Sequence, residues 1–140
     1  MSNNLFIITA PSGAGKTTLI KRAIEHAKEI NEKVYLAVSH TTRNPRAGEE
    51  DGRDYLFINE DEFKNNIAQD EYLEYALVHD NLYGTPKSEI ENKLKDRNKV
   101  LLEIDWQGAL QIMEHYPDAE SIFISPPSFD ELRKRLTDRR

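Results

Sequence analysis

The chain has no cysteine among its 140 residues, which excludes disulfides and thiolate metal sites and fits a reducing compartment. Long apolar runs are missing too. None approaches the roughly 20 residues of a membrane-spanning helix. Leu5–Thr9 is too short, and its flank too poor in basic residues, to be the core of a signal peptide. These gaps set the expectation of a cytoplasmic protein that does not contact membranes. Positive charge is in deficit, with 19 Lys and Arg against 25 Asp and Glu and a net charge of -6. A general nucleic-acid partner is therefore not expected. His26, His40, His79 and His115 have no metal-ligand spacing, and no G-x-S-x-G elbow occurs, so neither a zinc site nor a hydrolase triad is indicated. Repeats, low-complexity tracts and linkers are likewise missing. What is left is one domain, long enough for a real core.

Against this background one stretch stands out: Ala10-Pro-Ser-Gly-Ala-Gly-Lys-Thr-Thr18, after the apolar Leu5-Phe-Ile-Ile8 and before an amphipathic segment. Strand, Gly-rich turn, Lys-Thr and helix is the order of a P-loop. Small residues let the turn close round an anion, and its N–H groups and the helix N-terminus then face phosphate oxygens. Ser12, Gly13, Ala14, Gly15, Lys16, Thr17 and Thr18 are thus expected to bind the phosphates of a nucleotide, which the family resemblance given below implies is ATP. Lys16 reaches the β- and γ-phosphates, and the Thr17 hydroxyl is a ligand for Mg²⁺. One position departs from the strict pattern, because Ala10 stands where the first glycine is usual.

The remaining pattern alternates strands and helices. Strands are expected at Leu5–Thr9, Val34–Ser39, Val100–Ile104 and Ser121–Ile124. Helices are expected at Thr18–Ile30, from Pro86 (capped by Thr85) to about Asp96, and at Gln107–Tyr116. Asn59-Glu-Asp-Glu62 and Ser128-Phe-Asp-Glu131 read as helix starts. Such alternation implies a parallel sheet with right-handed crossovers. The middle of the chain breaks the rhythm. His40–Arg53 is expected to be largely loop, Tyr55–Ile58 is short and β-prone, and Leu73–Val78 could pair with Leu82–Tyr83 across His79-Asp-Asn81. The fold class expected is therefore α/β: a three-layer P-loop NTPase core with a parallel sheet, plus a small mixed β subdomain. Residues 1–39 and 84–140 would form the core of this single domain (1–140), and residues 40–83 the subdomain. Ligands of such sheets sit at the carboxyl ends of the strands, which puts Ala10–Thr17, Ser39 and Asp105 on one rim.

A second phosphate signal lies in Ser39-His-Thr-Thr-Arg43-Asn-Pro-Arg46-Ala-Gly-Glu, followed by Tyr55. Two arginines three residues apart suit a dianionic phosphate, since guanidinium binds phosphate with a fork that lysine cannot copy. The same arginines also read as a solvated basic loop. Beside a P-loop, a second phosphate site points to a kinase acting on a phosphorylated acceptor.

At this point the chain resembles the guanylate kinase family. The resemblance rests on the P-loop, Ser39-x-x-x-Arg43-x-x-Arg46-x-Gly-Glu, Tyr55, Glu74, Asn81-x-Tyr83-Gly84, Ile104-Asp105-x-Gln107-Gly108 and Pro126-Pro127-Ser128, which together span nearly the whole chain. It implies that residues 40–83 bind GMP, with Arg43, Arg46, Tyr55 and Tyr83 on its phosphate and Ser39, Glu74, Thr85 and Asp105 around guanine. It also implies ATP-dependent conversion of GMP to GDP, with a mobile subdomain and a lid, and Lys16, Arg43, Arg135 and Arg139 serving catalysis. Arg135 and Arg139 lie at i, i+4 on one helical face and would approach the ATP phosphates. They also read as a basic helix end favoured by the helix dipole. Family members continue past residue 140, so the chain is expected to stop within the lid, without the last part of the lid and core. Two other readings compete: a non-catalytic guanylate-kinase-like binding module, and a related P-loop kinase for another phosphorylated acceptor.

The guanine assignment has a physical basis. Guanine presents N1–H and N2–H₂ donors side by side, a carboxylate accepts both, and adenine cannot supply the pair. Glu74 or Asp105 could accept them. Apart from the resemblance, Glu74 reads as a surface acid in the charged run Asp70-Glu-Tyr-Leu-Glu74. Asp105 ends an apolar strand, where a carboxylate supports Mg²⁺ directly or through water, and it also reads as a cap for the following helix. GMP and ATP, with Mg²⁺, are the expected partners.

Overall fold

The computed structural model describes residues 4–10, 16–124 and 130, with the backbone alone at residue 16. Two sheets organise them. The first is parallel and contains β1 (Leu5–Thr9), β2 (Val34–Leu36), β7 (Lys99–Glu103) and β8 (Glu120–Phe123) in the order β2-β7-β1-β8. The second contains β3 (His40–Thr41), β4 (Leu56–Phe57), β5 (Tyr72–Val78) and β6 (Asn81–Pro86) in the order β4-β3-β6-β5. It is mixed: β3 runs parallel to β4 and antiparallel to β6, and β5 and β6 form an antiparallel hairpin. The helices are α1 (Lys16–Glu29), α2 (Glu60–Ala68), α3 (Lys87–Lys95) and α4 (Trp106–His115).

Register decides where the core lies. Leu5 pairs with Val100 and Ile7 with Leu102, so these four share one face of the parallel sheet. All are nearly inaccessible to solvent, and they join Ile90 and Leu94 of α3 and Ala109 and Ile112 of α4 in one cluster. Leu73 of β5 joins it too. The core thus passes directly into the second sheet, and α4 packs against β5. This junction brings the two carboxylates described below within reach of each other.

The local signals on α2 act as expected: the Asn59 side chain accepts from the Glu62 N–H at 2.7 Å, and Glu60, Asp61 and Glu62 sit in the first turn, where the dipole favours anions. Three expectations need correction and one needs refinement. First, β2 ends at Leu36 rather than at Ser39, although the Ala37 N–H still donates to Leu101 O. Second, the stretch expected to be largely loop also holds the short strand β3. At two residues it is too short for periodicity to show, and pairing with Gly84 and Tyr83 creates it. Third, the hairpin turn is tighter than expected. Val78 pairs with Asn81, leaving His79 and Asp80 as a two-residue loop with φ of 49° and 67°, the left-handed geometry that matches strand twist. Fourth, Thr85 does not cap α3. Pro86 holds the cap position without a side-chain hydrogen bond, and the Thr85 hydroxyl turns to Glu74 instead. Apart from Asp130, the helix start expected at Ser128–Glu131 lies outside the described residues.

Gly84 shows why one position in the hairpin has no side chain. A Cβ there would stand 2.9 Å from Phe63 Cζ and 3.0 Å from Tyr72 Cδ1, the two rings that stack with centroids 4.7 Å apart. Gly84→Ala should therefore destabilise the protein by about 1–3 kcal/mol through overpacking. In urea unfolding the midpoint should fall with an unchanged slope. An unmoved midpoint would show that the ring stack yields freely.

Candidate active site

Two clusters form on the second sheet. The first gathers round Arg43. Its Nε donates to the Tyr83 hydroxyl at 3.2 Å, and its Nη1 and Nη2 donate to Glu49 Oε1 and Oε2 at 2.9 and 3.1 Å. Nη1 also reaches Asn44 O at 3.0 Å. The guanidinium carbon lies 5.2 Å from the Tyr55 ring centre, and the Tyr55 and Tyr83 rings meet edge-on at 5.9 Å. Glu49 Oε1 also accepts the Arg46 backbone N–H at 2.7 Å, so one carboxylate closes the Arg43–Glu49 loop. The pair holds the Arg43 guanidinium firmly protonated and the Glu49 carboxyl below its usual range, chiefly through their mutual hydrogen bonds. Arg46 itself stands exposed, and Ser39, half-buried, accepts the Leu56 N–H through its carbonyl at 2.9 Å. Arg43, Tyr55 and Tyr83 are thus together, with Arg46 three residues further along the same loop.

The second cluster gathers round Glu74. A register shift between Tyr72 and Glu74 bends β5, and such irregularities re-aim side chains. As a result Tyr72, Leu73 and Glu74 are buried in succession, rather than alternating. Glu74 is 5% exposed, and its Oε1 accepts a short hydrogen bond from the Thr85 hydroxyl. Thr85 is fully buried. Desolvation, with Asp105 adding like charge, pushes the Glu74 carboxyl up to about 7, against the opposing pull of the Thr85 hydroxyl. Asp105 caps α4, its Oδ1 accepting the Gly108 N–H at 3.0 Å. Its sequence reading as a cap is therefore correct. The Oδ2 oxygen has no such use among the described residues. Gly108 touches both acids, because a Cβ on it would lie 2.6 Å from Glu74 Oε2.

Asp105 follows β7, and α1 begins beyond the carboxyl end of the neighbouring strand β1. Both helices therefore start at one rim of the parallel sheet. Thr17 is exposed in the first turn of α1. No group of three or more His, Asp or Glu is placed to hold a metal among the described residues. Mg²⁺ needs less than that when a nucleotide carries it, since it keeps several waters and binds through one or two protein oxygens plus phosphates. The Thr17 hydroxyl and Asp105 carboxylate are donors of that hard-oxygen kind. Ser12, Gly13, Ala14, Gly15, Arg135, Arg139 and the Lys16 side chain lie outside the described residues.

Two participants carried no role in the sequence reading: Glu49, which fixes Arg43, and Gly108, which faces Glu74. Glycine is disfavoured in a helix against alanine, so Gly108 asks for a reason, but the group it makes room for is set by packing between distant elements and not by the local sequence.

A family model described as guanylate kinase matches residues 2–140. A guanylate kinase of Dechloromonas aromatica is 50% identical over 139 residues, covering 99% of this chain and 67% of the relative. One from Francisella tularensis is 51% identical over 141 residues, with 99% and 73% covered. The crystal structure of guanylate kinase from Anaplasma phagocytophilum superposes with a TM-score of 0.75 at 36% identity, over 94% of this chain and 64% of that one. The chain spans about two thirds of the length of these relatives. The likeness covers the parallel sheet, the mixed sheet and both clusters alike. A chain with these two clusters, matched from end to end by one family, belongs to the guanylate kinase family.

Proposed function

We propose that the chain catalyses ATP + GMP = ADP + GDP, with residues 40–83 as the GMP-binding subdomain. The observation that carries this reading is the buried Glu74 carboxylate, held by Thr85 and flanked by Asp105, on the same sheet as the Arg43–Tyr83–Tyr55 cluster. A carboxylate sunk among apolar residues is costly unless a ligand supplies donors. Guanine supplies two. Glu74, Thr85, Ser39 and Asp105 then surround the base, while Arg43, Arg46, Tyr55 and Tyr83 bind the 5′-phosphate.

No side chain acts as nucleophile. A GMP phosphate oxygen attacks the γ-phosphorus of ATP, the new P–O bond forms in line, and the bond to the ADP oxygen breaks. Residues Ser12–Thr18 hold the ATP phosphates, with Lys16 on the β- and γ-groups. Arg43, Arg135 and Arg139 neutralise charge on the groups that react. Mg²⁺ bound with ATP would supply further charge neutralisation, held by Thr17 and, directly or through water, by Asp105.

Coupled ADP release measured with GMP, AMP, CMP, UMP and IMP tests the proposal. Turnover is expected with GMP far above the others. Binding without turnover would indicate a binding module, and a different preferred acceptor would indicate another kinase. The division of labour has its own check. Arg43→Ala and Arg46→Ala should each raise the GMP concentration needed for half-saturation by about tenfold or more, yet leave guanosine binding nearly unchanged. Equal losses for nucleotide and nucleoside would mean that the 39–55 loop had misfolded instead.

A further inference from the structure

The role of Gly108 does not follow from its backbone. It lies in the first turn of α4 with ordinary helical geometry, so no left-handed conformation demands glycine there. Alanine at this position would strengthen the helix. The constraint is spatial: an added Cβ would meet Glu74 Oε2 at 2.6 Å and Glu74 Cδ at 2.9 Å, both inside any tolerable contact. Glu74 has nowhere to retreat. It is 5% exposed, its other oxygen is held by the Thr85 hydroxyl, and Leu73 and Thr85 beside it are buried. On the other side, the Gly108 N–H is committed to Asp105 Oδ1 at 3.0 Å. Moving the helix to relieve a Cβ would therefore move Asp105 as well.

We propose that Gly108 is a specificity-determining position, kept free of a side chain so that α4 can close on Glu74 and fix its carboxylate together with that of Asp105. The proposal rests on the reading of Glu74 as the acceptor of guanine donors. Gly108 acts through Glu74 and is a positioning residue. Its effect should fall on discrimination between bases rather than on phosphate handling. IMP is the informative competitor, since it keeps the N1–H of guanine but lacks the 2-amino group, and so makes one fewer hydrogen bond to a well-placed carboxylate.

The test compares wild type, Gly108→Ala, Glu74→Asp and the double variant for GMP, IMP and ATP half-saturation, with thermal melts on each. For Gly108→Ala, GMP affinity should fall by about a hundredfold, the scale of leaving a buried polar group badly paired. IMP should lose less, so that the GMP/IMP ratio collapses, and ATP half-saturation should stay as in wild type. The shorter Asp side chain makes room for the Cβ. Adding Gly108→Ala to Glu74→Asp should therefore cost GMP binding far less than adding it to wild type. If the single variant does not fold, a double variant that folds, and binds GMP as Glu74→Asp does, still supports the proposal, and a double variant that also fails to fold overturns it. An unchanged GMP/IMP ratio in Gly108→Ala, equal losses for GMP, IMP and ATP, or the same penalty in both backgrounds would each overturn the proposal. A wild type that does not prefer GMP to IMP would instead remove the guanine reading itself, and this inference with it.

Discussion

Glu74→Gln is expected to weaken GMP binding by two orders of magnitude or more while leaving AMP almost untouched, and at the same time to make the unliganded protein more stable at pH 8. The first effect follows from the base. Glutamine keeps one acceptor oxygen for Thr85 but turns an N–H₂ group towards guanine donors, and a buried site with an unpaired polar group discriminates strongly. The second follows from burial. The Glu74 carboxyl titrates at about 7, well above the ordinary 4.3 of a glutamate. The folded state therefore binds a proton between those values that the unfolded state has already released. A folded value that is raised means stability fully present below about pH 4 and lost as pH rises through about 7. At pH 8 the ionised carboxylate costs on the order of 3 kcal/mol, which glutamine avoids. Melting curves at pH 5 and pH 8, alongside GMP and AMP titrations, measure both effects. The variant should outlast wild type at pH 8 and lose most of that advantage by pH 5. Guanine needs the charged form, so wild-type GMP affinity should also fall below pH 7, a slope missing from the variant. The titration of the GMP phosphate itself is common to both proteins and cancels in their ratio. A GMP/AMP ratio unchanged by the substitution would leave Glu74 a buried acid held by Thr85 that takes no part in reading the base.

Glu74 also marks the limit of what sequence can say. In Asp70-Glu-Tyr-Leu-Glu74 it is one acid of a charged run, and local pattern alone favours exposure. Burial comes from the shift in β5 register, from Thr85 across the hairpin and from α4 packed on top, all of them non-local. The same holds for Thr85. Next to Pro86 it has the local chemistry of a helix cap, but its hydroxyl serves a partner eleven residues away. Signals carried by neighbouring residues were legible. The apolar runs of β1 and β7 are read from consecutive residues, and the Asn59 and Asp105 caps depend on contacts within a few positions. Both helix caps are first-turn hydrogen bonds that sequence spacing fixes. Signals carried by space were not legible. Glu49 appears in sequence as an exposed acid after a glycine, and only folding the loop puts its two oxygens on the Arg43 fork. Gly108 and Gly84 carry no side chain to read, so their meaning lies in what a Cβ would strike. The two-residue strand β3 has no period of its own and exists through its neighbours.

Lys16→Ala should reduce turnover by at least two to three orders of magnitude while GMP affinity stays within about twofold of wild type. The substitution removes the one lysine of the Gly-rich turn, at the point where α1 begins after β1. Its proposed partners are the β- and γ-phosphate oxygens of ATP, which gain and redistribute charge as the γ-phosphoryl group moves. A fixed cation aimed at that charge in a water-poor site is worth on the order of 3 kcal/mol or more in the transition state. The proposed GMP site draws on other parts of the chain, from Ser39 to Thr85 together with Asp105. Backbone N–H groups of the turn and the α1 N-terminus remain in the variant, so ATP should still bind, more weakly. Single-turnover rates with saturating ATP and GMP, together with GMP titration by calorimetry, separate the two effects. A fall in GMP affinity as large as the fall in rate would sink the separation of the two sites. A turnover within tenfold of wild type would mean that the turn amides and the arginines neutralise the transferred group without the lysine.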